Sequence, residues 1–144
     1  MKSTVEVDID LPRPRLAALF ADPTLNAKWM EDLDRYEPLS GQPGAPGSTY
    51  RLVHRGGDMV FVATVIANDL PNESRLRLDA SSLSVSITAK YLALSPQKSR
   101  LISEEVFRFK SVLGRIMGFF ARPAIHRAHR RQMEAFKRYA ERGA

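Results

Sequence analysis

The chain has 144 residues, 44% of them hydrophobic and 26% charged, and this length predicts one domain over residues 1–144 that buries about two-thirds of its unfolded surface. It contains no cysteine, which excludes disulfides, thiolate nucleophiles and cysteine zinc sites. The longest apolar run, 59–67, is too short to span a membrane, and the N-terminus has no signal-peptide core. We therefore expect a cytoplasmic protein, in keeping with the absence of cysteine.

The formal net charge of +6 is unevenly distributed along the chain. Residues 1–107 carry 12 basic and 14 acidic side chains, whereas residues 108–144 carry ten basic and two acidic ones. Such a basic segment can meet an anionic partner, either a membrane surface or nucleic acid. The alternative is the solvated face of an arginine-rich helix, and we favour this interpretation because arginine is a good helix former.

The N-terminal part of the chain predicts a strand, two short helices and a second strand, at 4–11, 15–20, 24–30 and 34–39. Apolar and acidic residues alternate over 4–11, which is typical of a strand with one buried face. Pro12 ends this strand. The second helix has Thr24 as its expected N-cap and Trp29 on its buried side.

The middle of the chain predicts five further strands, at 49–55, 59–68, 75–80, 83–94 and 100–110. Turn residues separate them, including Gly56-Gly57-Asp58, Pro71-Asn72 and Pro96-Gln97. No helix is predicted between these strands, and this arrangement indicates an antiparallel meander rather than a parallel sheet.

The C-terminal part predicts two helices, 112–121 and 124–142, that meet at Arg122-Pro123 because proline interrupts a helix. Gly114 and Gly118 lie one turn apart, which favours close helix packing or a flexible cavity lid. The second helix is the one long element available to cover the sheet. A single helix is about 10–12 Å wide and cannot fill a curved sheet, so we expect an apolar ligand cavity between them.

This order of elements resembles the helix-grip fold of the START-like (Bet v 1-like, SRPBCC) superfamily, and within it the polyketide cyclase/dehydrase and lipid-transport type. The segments that carry the resemblance are Phe20-Ala-Asp-Pro23 with Trp29, the turn from Ser40 through Pro43-Gly44 to Gly47–Leu52, and the closing helix 131–141. The residue before Trp29 departs from the family's usual proline.

The resemblance implies an α+β fold, with six to seven curved antiparallel strands around a long C-terminal helix and two short helices after the first strand. It also implies that a hydrophobic molecule binds in the cavity. Some members are enzymes, but no shared catalytic signature carries over to this chain.

Inward-facing positions supply the candidate ligand-binding residues: Trp29, Tyr50, Leu52, His54, Phe61, Ala63, Leu78, Val85, Ile87, Tyr91, Phe107, Met117 and Phe120. Four polar side chains could orient a polar end of the ligand: Tyr50, His54, Tyr91 and Glu105. Phe119 and Phe120 fit either a cavity lid or simple core packing.

His54 and Glu105 are the candidate acid–base residues. His54 shares its strand face with Tyr50, and Glu105 shares its face with Phe107, so both are expected inside or at the rim of the cavity. A carboxylate in such surroundings has a raised pKa, which suits proton transfer. Alternatively, a register break turns Glu105 outward, or the residue is a satisfied polar group at the sheet edge.

His126 and His129 lie three residues apart and can share a helix face. They lack a third ligand at metal-site spacing, so we expect no metal site. We also expect no cofactor, and we expect His129 to face the sheet.

Three functions remain open. The leading one is binding of a small lipid, polyketide or aromatic molecule by a monomer or dimer. The second is a cyclase- or dehydratase-type enzyme that uses His54 or Glu105. The third is an interaction module whose basic helix meets an anionic membrane or ribosomal RNA, although nucleic acid is not the partner we expect.

Overall fold

Seven antiparallel strands form one sheet in the computed structural model, in the order β1-β7-β6-β5-β4-β3-β2. The model describes residues 1–57 and 59–143, so Asp58 of the predicted Gly56-Gly57-Asp58 turn lies outside the described part. The strands are β1 (Lys2–Ile9), β2 (Leu33–Ser40), β3 (Thr49–His54), β4 (Val60–Asp69), β5 (Glu73–Asp79), β6 (Leu83–Ser95) and β7 (Lys98–Phe109). Each expected strand is present, and the α+β helix-grip prediction is confirmed.

β1 lies at the edge of the sheet beside β7, and its alternating sequence gives it one buried face. Val5, Val7 and Ile9 are buried, while the residues between them face outward. The strand pairs antiparallel with β7, with Val5 opposite Ser103 and Val7 opposite Leu101. Its apolar face therefore lies against the interior.

The first helices follow β1 directly. They are α1 (Arg13–Ala21), a short 3₁₀ helix (Pro23–Leu25) and α2 (Asn26–Trp29). The cap of the 3₁₀ helix is Asp22 rather than the predicted Thr24, because the Asp22 carboxylate accepts hydrogen bonds from the Thr24 amide at 3.0 Å and hydroxyl at 2.6 Å. A carboxylate oxygen is a stronger acceptor for free backbone amides at a helix start than a threonine hydroxyl.

The C-terminal helices are α3 (Val112–Phe120) and α4 (Arg122–Glu141). Ser111 caps α3 by accepting a hydrogen bond from the Gly114 amide at 2.9 Å. Pro123 lies in the first turn of α4, where its missing N–H costs nothing. The predicted division at Arg122-Pro123 is confirmed. Within the described ranges, no helix combines the length and apolar character needed to cross a membrane.

The α4 helix packs against the β1 side of the sheet through Met133, Phe136 and Ala140. The Phe136 ring lies edge-on to the Phe20 ring at 4.9 Å and to the Trp29 ring at 5.2 Å between centroids. A second buried cluster, made of Leu33, Tyr50, Leu52, Ala63 and Val65, lies on β2–β4. The space between the helices and these strands contains the cavity described next.

Candidate functional site

A cavity of about 200 Å³ lies between α4, the first helices and strands β3–β7. Strands β3–β6 supply mainly apolar side chains to its wall, among them Leu52, Phe61, Leu76 and Val85. Alternate residues of a strand face the same side, so each strand presents a short apolar row to the cavity. The interior can therefore hold an apolar molecule.

Most of the predicted ligand-binding positions lie in this wall. They are Trp29, Tyr50, Leu52, His54, Phe61, Leu78, Val85, Ile87 and Phe107, and the candidate Glu105 lies there too. Those on β5, β6 and β7 face one side of the sheet because the pairing of these strands keeps a regular register at this point.

Four predicted positions lie elsewhere, which corrects the sequence-based expectation. Ala63 is buried in the β2–β4 cluster and does not reach the cavity wall. Tyr91 is buried in the main core, where its hydroxyl lies 2.6 Å from the Ser74 hydroxyl. Met117 and Phe120 are 62% and 77% exposed because α3 turns its bulky side chains away from the sheet.

Three buried polar atoms in the cavity wall make no hydrogen bond with the described residues. They are Nε1 of Trp29, Nδ1 of His54 and Oδ1 of Asn68. Buried polar groups in folded proteins are nearly always hydrogen-bonded, so an unpaired set in one cavity calls for an explanation. The set includes a donor and an acceptor, so the cavity wall has hydrogen-bonding capacity that the described residues do not use.

Glu105 is the carboxyl group of the cavity. Its side chain is 14% exposed, whereas that of the neighbouring Glu104 is 38% exposed and pairs with Lys2 at 3.3 Å on the other face of β7. Burial raises the pKa of Glu105 to about 7. The cavity thus contains a carboxyl group that is neutral, and able to donate a hydrogen bond, below that pH.

His129 connects Glu105 to a buried row of hydroxyl groups. Its Nε2 lies 2.9 Å from the Ser103 hydroxyl, and its Nδ1 lies 2.8 Å from the Ser3 hydroxyl. The Ser3 hydroxyl also lies 2.9 Å from Nδ1 of His126. Each serine hydroxyl can donate or accept, so this network can hold either neutral tautomer of His129.

Glu105 and His129 face each other as neutral groups rather than as an ion pair. The carboxyl oxygen lies 3.7 Å from Nδ1 of His129. Burial, followed by the charges of His126 and Arg130, lowers the pKa of His129 to about 4. Because the pKa of Glu105 is about 7, both groups are neutral between these two values.

Neither helix histidine is placed as a metal ligand. His126 and His129 both direct Nδ1 at Ser3, and the described part of the chain has no cluster of three potential metal-binding side chains.

The strand pattern could have identified Ser103, which is two residues before Glu105 and so shares its face. The same rule places Ser3 on the face of Val5, but no local signal shows that it meets His129 across 126 residues of chain, because that contact arises only when β1 and α4 are brought together. No local signal identifies Asn68 near the end of β4.

The chain is similar to known proteins both in sequence family and in fold. The model of a family described as polyketide cyclase/dehydrase and lipid transport matches residues 1–141. No curated protein sequence matches the chain.

Solved structures share the fold at low sequence identity. The Zhui aromatase/cyclase from Streptomyces sp. R1128 has a TM-score of 0.80 at 14% identity, covering 99% of this chain and 94% of that one. A START superfamily protein from Mycobacterium smegmatis has a TM-score of 0.74 at 15% identity, covering 99% of both chains. Ara h 8.0201 has a TM-score of 0.69 at 16% identity, covering 97% of both.

Proposed function

We propose that this chain, which belongs to the polyketide cyclase/dehydrase and lipid transport family, binds one small amphipathic molecule in the cavity between the sheet and α4. Membership of the family supports hydrophobic ligand binding or a cyclase role in general terms. The observation that carries the specific proposal is the set of unpaired polar atoms, on Trp29, His54 and Asn68, in a mainly apolar wall.

The cavity walls favour a compact ligand with an apolar body and at least one hydroxyl or carbonyl group. Burial of the body provides the main driving force, at roughly 25 cal/mol per Å² of apolar surface. A polar group that pairs with the Trp29 indole N–H or the Asn68 carbonyl adds about 0.5–1.5 kcal/mol each. Lipid, polyketide and aromatic molecules all include members of this type.

The indole N–H of Trp29 provides a direct readout, because the chain has one tryptophan and its NMR spectrum has one indole resonance. We expect 2-naphthol to shift this resonance saturably. Its isostere 2-methylnaphthalene, which lacks the hydroxyl, should bind roughly two- to tenfold more weakly.

A matched pair of variants tests the location of the site. Val65 lies in the cavity wall, whereas its neighbour Ile66 is exposed. We expect Val65→Phe to abolish the 2-naphthol shift and Ile66→Phe to preserve it. If Val65→Phe does not fold, Leu78→Phe at the half-buried wall position serves instead. An indole resonance that does not move at saturating 2-naphthol, or that moves equally in the wall variant, would overturn the proposal.

A second candidate function is acid–base catalysis, and the Glu105–His129–Ser103 arrangement favours it. A neutral carboxyl group in the cavity wall can protonate a departing hydroxyl, and the carboxylate that it becomes can take up the α-hydrogen as a proton, while His129 and Ser103 hold it in place. The test reaction is dehydration of 4-hydroxy-4-phenylbutan-2-one, in which one α-hydrogen and the hydroxyl leave as water. We expect Glu105→Gln to abolish any acceleration while 4-phenylbutan-2-one still binds; no acceleration by the unaltered protein would refute this candidate.

We further propose a cytoplasmic location and a monomeric or dimeric state, in keeping with the absence of cysteine and the small size of the domain. Sedimentation of the purified protein measures the oligomeric state.

A further inference from the structure

The α3 helix presents its bulky apolar side chains to solvent. This apolar α3 face consists of Val112, Leu113, Ile116, Met117, Phe119 and Phe120, each more than half exposed. Contiguous exposed apolar surface on a small domain marks a binding surface. Isolated exposed side chains elsewhere need no such explanation.

The orientation of α3 is set by its two glycines. Gly118 is the buried residue of the helix, and a Cβ atom placed on it would come within 2.5 Å of the Phe109 ring. Gly114 lies one turn earlier and also faces Phe109. The helix therefore rests on the end of β7 through its smallest residues. Its large side chains point away from this contact; Phe119 meets the Phe120 ring at 5.5 Å between centroids, and the Arg122 guanidinium lies 3.9 Å from the centre of the Phe119 ring.

Basic side chains border this apolar face. A groove beside α3 is lined by Arg108, Lys110, Arg115 and Arg122, which we call the α3 basic rim. In the described part of the chain none of the four forms an ion pair. Lys110 donates to the Ala80 carbonyl at 2.6 Å, and Arg122 donates to the Phe119 carbonyl at 3.0 Å.

The one acidic side chain of this groove does not neutralise the rim. Asp79 is paired with Arg77 at 2.9 Å and accepts a hydrogen bond from Ser84 at 2.7 Å. The positive charge continues into the exposed first half of α4, where Arg127 and Arg130 follow Arg122. The apolar face and a net positive field thus occupy the same end of the molecule.

We propose that α3 docks the protein onto an anionic lipid bilayer. The apolar α3 face enters the boundary between headgroups and acyl chains, and the α3 basic rim contacts the lipid phosphates. An interfacial helix combines these two features, because apolar burial and attraction to anionic lipid both contribute to its binding. The proposal does not depend on which molecule the cavity binds.

Charge argues against the other occupants of this surface. In a symmetric dimer the same patch of each copy meets the other, so the unpaired arginines of the rim would repel one another. An RNA would satisfy the rim and its bases would stack on the phenylalanine rings, but it would leave the aliphatic side chains of Leu113, Ile116 and Met117 exposed. An anionic bilayer satisfies both.

Vesicle flotation tests the proposal with the full chain. We expect binding to vesicles of phosphatidylcholine and phosphatidylglycerol at 7:3, weaker binding to pure phosphatidylcholine, and a loss with rising salt. Phe119→Ser with Phe120→Ser should reduce the partition coefficient at least tenfold. Arg108→Gln with Arg115→Gln should reduce it by roughly fivefold per arginine at low salt.

Matched controls remove the same groups elsewhere. Leu92→Ser with Leu94→Ser removes two exposed apolar side chains of β6, and Lys90→Gln with Lys98→Gln removes two positive charges. Neither pair should change vesicle binding more than twofold.

Because the chain has no cysteine, Phe120→Cys carrying an environment-sensitive dye reports insertion directly. Its emission should shift to the blue on vesicles, whereas a dye at Leu94→Cys should not respond.

Three results would overturn the proposal. The first is no binding of the unaltered protein to anionic vesicles. The second is a dimer in sedimentation that Phe119→Ser with Phe120→Ser separates, since a second copy would then cover α3. The third is vesicle and poly(U) binding that depends equally on Arg108 and Arg115 but not on the phenylalanines, which would indicate a general polyanion site.

Discussion

Replacing Glu105 with glutamine should make the stability difference between variant and unaltered protein strongly pH-dependent. The Glu105 side chain is buried, and its pKa rises from an ordinary 4.5 to about 7 on folding. Between these values the folded protein keeps a proton that the unfolded chain releases, so the free energy of unfolding falls as pH rises. Glutamine is neutral at every pH and removes this effect.

The size of the effect follows from the two pKa values. Each pH unit between 4.5 and about 7 changes the free energy of unfolding by about 1.4 kcal/mol, which totals about 3 kcal/mol. The stabilising contribution of the neutral carboxyl is fully present below pH 4.5 and lost once pH passes 7. Relative to the unaltered protein, Glu105→Gln should therefore gain about 3 kcal/mol from acid to mildly basic pH.

His129 has the opposite sign and must be separated from Glu105. Its pKa falls from 6.5 to about 4 on folding, so its contribution is present above 6.5 and lost as pH falls toward 4. In the unaltered protein the contributions of Glu105 and His129 to the free energy of unfolding nearly cancel between pH 4.5 and 6.5. The difference between the two proteins isolates Glu105, because His129 is present in both.

Urea unfolding at half-unit pH steps from 4.5 to 8.5 measures this difference. Glu104→Gln is the matched control, since it removes the neighbouring carboxylate on the other face of β7, outside the cavity, where that side chain is 38% exposed and pairs with Lys2. A constant difference for Glu105→Gln, or one that falls with pH, would refute the reasoning that burial keeps this carboxyl neutral.

Three further predictions concern packing. Phe136→Ala, which removes a fully buried ring in contact with Phe20 and Trp29, should cost about 3–5 kcal/mol in urea unfolding, and a cost below about 1 kcal/mol would contradict the described core. Gly118→Ala should cost about 1–3 kcal/mol by overpacking against Phe109, and much less in a Phe109→Ala background; strictly additive effects would contradict that contact. Tyr91→Phe should lose about 1 kcal/mol with the 2.6 Å contact to Ser74, and no coupling to Ser74→Ala in a double-mutant cycle would show that this contact does not stabilise the fold.

Strand periodicity predicts the sheet well, because a side chain's face depends on local backbone geometry. The alternation over 4–11 identifies the buried row of β1, and the same rule on β7 separates buried Glu105 from Glu104. The alternative of a register break at Glu105 is not observed, since β6 and β7 pair regularly on both sides of it.

Periodicity could not decide how deep each inward residue lies. Ala63 and Tyr91 share faces with cavity residues, yet neighbouring side chains close over both. The depth of a cavity depends on the curvature of several strands together, and no single strand encodes that curvature. The expectation that these positions line the cavity failed for this reason.

The sequence also left open which face of α3 packs against the sheet. A strongly apolar helix predicts burial, but the contact surface is made by Gly114 and Gly118, which leaves Met117 and Phe120 outside. The pair of glycines was a visible signal for close packing; its partner, the Phe109 ring on β7, was not. Likewise, the Ser3–His129 contact joins the two ends of the chain, and residue spacing cannot show it.

Native mass spectrometry of the protein isolated without detergent tests the central claim most directly. We expect the unaltered protein and Ile66→Phe to carry a small noncovalent adduct that collisional activation releases, and Val65→Phe to lack it. An unaltered protein of the bare polypeptide mass, whose Trp29 indole resonance also fails to respond to 2-naphthol, would contradict the assignment of the cavity as a ligand site.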